Sequence, residues 1–142
     1  MKCGKAGKDL IVEFEGVELK AYKDVAGFWT IGVGHLIRPG ESFTTITRDE
    51  AMELLAKDLA DAEGCINALS LTLTQNEFDA LCSFVFNLGC GAFRNSTLLK
   101  KIKSGEDAAA EFKRWNKAGG KEVAGLTRRR KAEEALFNKT EK

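Results

Sequence analysis

The sequence predicts an α+β fold: a small antiparallel sheet near the N-terminus, joined by one long helix to a larger helical lobe. Three observations carry that expectation. Up to about residue 46 the chain is glycine-rich, with β-branched and aromatic residues in short runs. Beyond it, apolar residues recur at three- and four-residue steps almost to the end. The length of 142 residues suits one domain, and the single proline leaves the helical pattern unbroken. One domain, 1–142, is therefore expected, with about 15–46 as the β-lobe and about 47–142, with the N-terminal helix, as the helical lobe.

The elements follow in order. A first helix covers about Lys5 to Phe14 and stops at Gly16, a residue suited to a helix end. Leu19–Lys23 and Phe28–Val33 form two strands around a turn at Val25-Ala26-Gly27, and a third short strand is expected near Phe43–Ile46. Thr47 with Glu50 makes a capping box that opens the long helix, whose apolar stripe is Met52, Leu55, Leu59, Ala62, Ile66 and Leu69. Thr74 and Glu77 repeat the box ahead of Phe78, Leu81, Cys82 and Val85, and the glycines at 89 and 91 end that helix. A short helix from Ser96 to about Gly105, another from about Glu106 to Asn116, and a last one capped by Thr127 complete the set.

Charge and composition exclude several classes. Hydrophobic residues are 44% and charged residues 30%, a globular profile and not a disordered one. No stretch has the eighteen or so apolar residues of a membrane span, and the N-terminus has no signal-peptide core, so a cytoplasmic protein is expected. The net charge of +1 hides a basic C-terminal third, with ten Lys/Arg against five Glu from Glu111 onward. The TRRRK run at 127–131 lacks the interleaved aromatics of a nucleic-acid groove; an anionic wall polymer is the easier target for its charge. Cys3, Cys65, Cys82 and Cys90 contain no C-x-x-C pair and only one histidine accompanies them. A metal site is not expected, no cofactor is called for, and reduced structural thiols are the simplest reading.

Two carboxylates stand out near the N-terminus. On a helical wheel Glu15 falls close to the apolar arc of Leu10, Ile11, Val12 and Phe14, whereas Glu13 points away. An acid held against apolar surface keeps its proton longer, as a general acid requires. Asp24, at the end of the first strand, belongs to an exposed turn where a carboxylate stays ionised. Environments that push two carboxyls apart in this way suit acid and base roles in glycoside hydrolysis. By strand alternation Phe28, Thr30 and Gly32 share an open face while Trp29, Ile31 and Val33 face the core, and the glycines at 32 and 34 leave room for a ligand. His35, with no second histidine or nucleophilic serine motif, reads as a hydrogen-bonded structural residue and not as part of a triad.

Glu15-Gly16, "LKAYKD" and "WTIGVGHL" together resemble the N-terminal signature of the phage-type lysozymes, glycoside hydrolase family 24. The segments "QNEFDALCSFVFNLGCGAFRNSTLL" (75–99) and "RWNKAGGKEVAGLTRRRKAEEALF" (114–137) resemble the family's helical-lobe and C-terminal motifs, in the form typical of lambdoid-phage endolysins. The resemblance implies a lysozyme-like fold and a muramidase that hydrolyses the β-1,4 bond between N-acetylmuramic acid and N-acetylglucosamine in bacterial peptidoglycan, with inversion. It implies Glu15 as the general acid, and Asp24 with Thr30 as the groups that activate water. Leu36, Phe86 and Ser96 are implied as substrate contacts, although the helical spacing of Phe86 equally suits a core position. A holin that opens the inner membrane from the host cytoplasm, and a monomeric state, are further implications. A lytic transglycosylase, which works without a water-activating partner, and a non-catalytic wall-binding module are the competing readings.

Overall fold

A computed structural model describes residues 1–139. Its elements run α1 (Lys5–Glu15), β1 (Glu18–Lys23), β2 (Trp29–Gly32), β3 (His35–Leu36), α2 (Arg48–Asn67), α3 (Gln75–Leu88), α4 (Cys90–Arg94), α5 (Thr97–Ser104), a 3-10 turn (Ala109–Arg114), β4 (Lys117–Ala118), β5 (Lys121–Glu122) and α6 (Ala124–Asn138). They form two compact units, Ile11–Ala60 and the remainder of the chain, with α1 and α2 each contributing to both. The helix-rich α+β class expected from the sequence is present.

The unit of Ile11–Ala60 holds an antiparallel sheet of order β1-β2-β3, with Tyr22 opposite Thr30 and Thr30 opposite Leu36. Ile31, Ile46 and Ala51 form its core, with Val17, Ala21, Ile37, Phe43 and Leu54 packed around them. The capping box at α2 is formed: Glu50 N donates to Thr47 Oγ1 and Thr47 N to Glu50 Oε1. The third strand lies elsewhere than expected. Residues 43–46 run beside β1 through a single bridge, Lys20 to Thr45, and two backbone bonds, whereas His35–Leu36 pairs with β2. A two-residue strand directly after a turn carries too little alternation to be read from sequence.

Strand alternation also misleads in β2. Trp29, expected in the core, is 52% exposed, whereas Thr30, expected on the open face, is 3% exposed. Alternation holds for a strand covered on one face; β2 is central and buried on both sides from Thr30 onward. Gly32 does not clear space for a ligand either, because a side chain there would meet Ala51 and Ile46.

In the other unit, Phe84 is the hub of an aromatic core, edge-on to Phe93, Phe112 and Trp115 at 5.6–6.1 Å between ring centroids. The Thr74–Glu77 box caps α3, and α5 starts at its cap Ser96 and stops at Gly105, as the pattern predicts. Gly89 ends α3, but Gly91 lies within α4. The segment expected as a helix over 106–116 shortens to the 3-10 turn, and Gly119-Gly120, both at positive φ, close the β4–β5 hairpin that the sequence pattern did not suggest. Thr127 is not a cap: α6 begins at Ala124, and the Thr127 hydroxyl donates to Val123 O within the first turn.

Two charge and thiol expectations are corrected here. Cys65 and Cys90 are joined in a disulfide, because the end of α2 and the start of α4 bring their Cα atoms to 6.0 Å; Cys3 and Cys82 are free and buried, the latter in the core as expected. Arg129 and Arg130 of the basic run point inward and are buried with Glu133. Ser83 Oγ and Arg130 Nη2 both donate to Glu133 Oε2, at 2.6 and 2.9 Å. Burial pushes the Arg130 pKa down and the Glu133 pKa up, each opposed by the other's charge. Those two arginines therefore serve the interior and are not offered to an anionic polymer.

Candidate active site

Glu15 is the last residue of α1, half-buried, while Glu13 one turn-face away is exposed, as the helical wheel predicts. The helix ends there because Gly16, at positive φ, closes the last turn onto Val12 O. The Glu15 carboxyl lies over the turn between β2 and β3: a Cβ on Gly34 would sit 3.1 Å from Glu15 Oε1. Gly34 thus makes room for the acid itself, where the sequence suggested room for a ligand.

Asp24 is locked by its own turn. Its Oδ1 accepts the backbone N–H of Ala26 and of Phe28, each at 2.9 Å, while its backbone exchanges bonds with Phe28 and Gly27. Among the described residues, Asp24 Oδ2 accepts no hydrogen bond and remains available to a ligand. Such anchoring fixes the direction in which a carboxylate presents its second oxygen.

Thr30 occupies the middle of a row that crosses the sheet from Tyr22 to Leu36. Residues directly opposite in an antiparallel pair project to the same side, so these three side chains share a face. The Thr30 hydroxyl donates to Phe28 O at 3.1 Å, which leaves its lone pairs free to accept. Leu36, predicted as a substrate contact, is 51% exposed at the end of that row.

Tyr22 was not foreseen. Its phenol pKa is raised, first by burial and then by the negative charges of Glu18, Glu15 and Asp24. The charges of Glu15, at the helix end, and of Asp24, in the β1–β2 turn, thus both act on this phenol. The pattern held a signal for it: Tyr22 stands two residues before Asp24, so both share strand parity.

His35 has the structural role read from its isolation. It is buried, with Nδ1 2.8 Å from Asp58 Oδ2 and Nε2 3.0 Å from Glu41 Oε1, and Phe43 lies edge-on to the ring. Carboxylates only accept, so a doubly protonated imidazolium satisfies both contacts. Burial lowers its pKa, but the bonds to Asp58 and Glu41 and their charges outweigh that and raise it. Glu41 is correspondingly lowered, first by the Arg38 N–H and then by His35.

Phe86 and Ser96 belong to the other unit. Phe86 is half-buried on α3, and its neighbour Asn87 accepts from Arg130 Nη2 at 2.9 Å. Ser96, expected as a substrate contact, is 2% exposed; its hydroxyl donates to Phe93 O and accepts from Leu99 N as the cap of α5. The cap uses the hydroxyl's hydrogen and one of its two lone pairs. Among the described residues, no group of three or more His, Cys, Asp or Glu side chains is placed to hold a metal ion, and no helix is long and apolar enough to cross a membrane.

The helix-rich α+β fold with its small antiparallel sheet is of the lysozyme-like class, and comparison with known proteins makes the family specific. The sequence profile of the phage lysozyme family matches residues 12–133. An endolysin of Bacillus phage PZA is 48% identical over 143 residues, 97% of this chain and 55% of that protein. The endolysin of Salmonella phage P22 is 45% identical over 96% of this chain and 98% of its own length. The solved muramidase domain of SpmX from Asticaccaulis excentricus superposes with a TM-score of 0.88 at 36% identity, covering 98% of this chain and 99% of that one. The chain spans about half the length of the Bacillus phage relative and nearly all of the P22 one. The chain belongs to the phage lysozyme family.

Proposed function

We propose that the protein hydrolyses the β-1,4 bond between N-acetylmuramic acid and N-acetylglucosamine in bacterial peptidoglycan, with inversion at the anomeric carbon. Glu15 donates a proton to the glycosidic oxygen. A water molecule donates one hydrogen to Thr30 Oγ1, whose own hydrogen is engaged by Phe28 O, and the other to Asp24 Oδ2. One of its lone pairs then faces the anomeric carbon, and Asp24 takes the proton as the bond forms. Inversion requires space for that water, about 6.5–9.5 Å between the carboxyls.

The observation that carries this reading is the arrangement of Asp24 and Thr30. One oxygen of Asp24 is consumed by backbone N–H groups and the Thr30 hydrogen by a backbone carbonyl, so each side chain keeps an acceptor, Thr30 from a nearly buried position. Two acceptors suit a water molecule, which has two hydrogens to donate; the sugar hydroxyl that attacks in a lytic transglycosylase has one and needs only one acceptor. Leu36, at the end of the same row, would contact the sugar's apolar face. Access to the wall from the host cytoplasm through a holin lesion, and action as a monomer, complete the proposal.

Mass spectrometry of digested walls tests it. Reducing ends that incorporate one solvent oxygen support hydrolysis; anhydro-muramic ends would replace it with the transglycosylase reading. Undigested walls would leave a binding module.

A further inference from the structure

The sheet face opposite the Tyr22–Thr30–Leu36 row carries features that the hydrolytic scheme does not use. Trp29 pairs with Lys23 across β1 and β2, and the Lys23 ammonium lies over the indole, 5.4 Å from its centroid. Beside Trp29 opens a pocket of about 730 Å³, with Ile37 and Phe43 in its apolar wall and the exposed cations Lys20 and Arg38 around it. The single acid lining it, Glu41, has its Oε1 occupied by the Arg38 N–H and by His35. The pocket therefore carries a net positive charge, two cations against one carboxylate, around apolar surface. A half-exposed tryptophan set in such a patch marks a surface that binds something.

We propose that this pocket is a second wall-binding site that takes the carboxylate-bearing stem peptide of peptidoglycan. The inference rests on the muramidase reading for its substrate class. Charge complementarity selects the occupant. The amino sugars of the glycan strand offer hydroxyls and amides but no free charge where the muramyl lactyl group is amide-linked to a stem. The stems supply several free carboxylates together with alanine methyl groups. Lys20, Lys23 and Arg38 match the former; Trp29, Ile37 and Phe43 match the latter. Because Trp29 and Thr30 are successive residues on opposite faces of β2, a stem held behind the sheet belongs to wall adjoining the strand being cut. Such a site retains the enzyme on peptide-bearing wall without touching the reacting bond.

The test titrates the intact protein with a soluble stem tetrapeptide, L-alanyl-D-isoglutamyl-diaminopimelyl-D-alanine, while following the two tryptophan indole N–H resonances. The expected result is a saturable shift of the Trp29 signal with Trp115 unmoved. Lys20→Ala/Arg38→Ala should weaken the affinity about tenfold and raise KM for intact walls, with kcat unchanged and with no effect on peptide-stripped glycan. The proposal is overturned if the tetrapeptide leaves Trp29 unmoved, or if a neutral chitin oligomer moves it equally. Peptide binding without wall cleavage would sink the muramidase reading alone. Cleavage with a silent Trp29 would sink this inference alone.

Discussion

Glu15 and Gly34 are in intimate register: a single added carbon on Gly34 would stand 3.1 Å from Glu15 Oε1 and 3.6 Å from its carboxyl carbon. The turn between β2 and β3 is thus shaped around the acid, and the backbone of Gly34, at φ +65, takes a conformation that side chains rarely adopt. Gly34→Ala should combine backbone strain of about 1–2 kcal/mol with displacement of the carboxyl. A fall in Tm of roughly 3–6 °C follows from that strain. Misplacing the acid by about 1 Å should lower kcat on the order of 100-fold. Thermal melts and wall turnover, measured on one preparation, check both; unchanged turnover would separate Glu15 from the chemistry.

Asp24 permits its structural and catalytic parts to be pulled apart. Asp24→Asn keeps an acceptor oxygen for the Ala26 and Phe28 N–H groups, so the melting temperature should stay near that of the parent. Its catalytic loss should be roughly 10²–10⁴-fold in kcat, the usual worth of a general base. Asp24→Ala removes the turn bonds as well and should cost stability in addition, about 1 kcal/mol for each net bond lost. Equal activity in Asp24→Asn and the parent would remove Asp24 from the mechanism.

The His35 clamp makes a pH prediction. The folded-state pKa of His35 lies above its ordinary 6.5, so the protonated form binds its carboxylates more tightly than the unfolded chain would. Its stabilising contribution is complete below about pH 6.5 and is lost as pH rises through the raised folded-state value. Denaturation midpoints of the parent should fall across that interval relative to those of His35→Gln. Parallel pH curves for the two proteins would contradict the clamp.

The Cys65–Cys90 bridge closes a loop with a sequence separation of 25. Loop-closure entropy for that length is worth about 3.5 kcal/mol. Reductant should therefore lower the parent's denaturation midpoint while leaving that of Cys65→Ser/Cys90→Ser unaffected. Mass measurement after alkylation without reductant should find two reactive thiols in the unfolded protein; four would refute the bridge.

The sequence by itself determined what is settled within a turn or two of chain. Thr47 with Glu50 and Thr74 with Glu77 bond over three residues, so both caps, and the helices they open, are legible without a fold. The half-burial of Glu15 and the exposure of Glu13 follow from the helical angle alone, and the short motifs that hold Glu15, Asp24 and Thr30 carried the family resemblance with the segments 75–99 and 114–137. Tertiary structure alone decided the rest. It set Gly34 against Glu15, buried Thr30 while leaving Trp29 out, joined Cys65 to Cys90, and turned Arg129 and Arg130 inward to Glu133 and Ser83. The reason is physical: local patterns report bonds between near neighbours in the chain, whereas these outcomes depend on which distant surfaces compete for the same space.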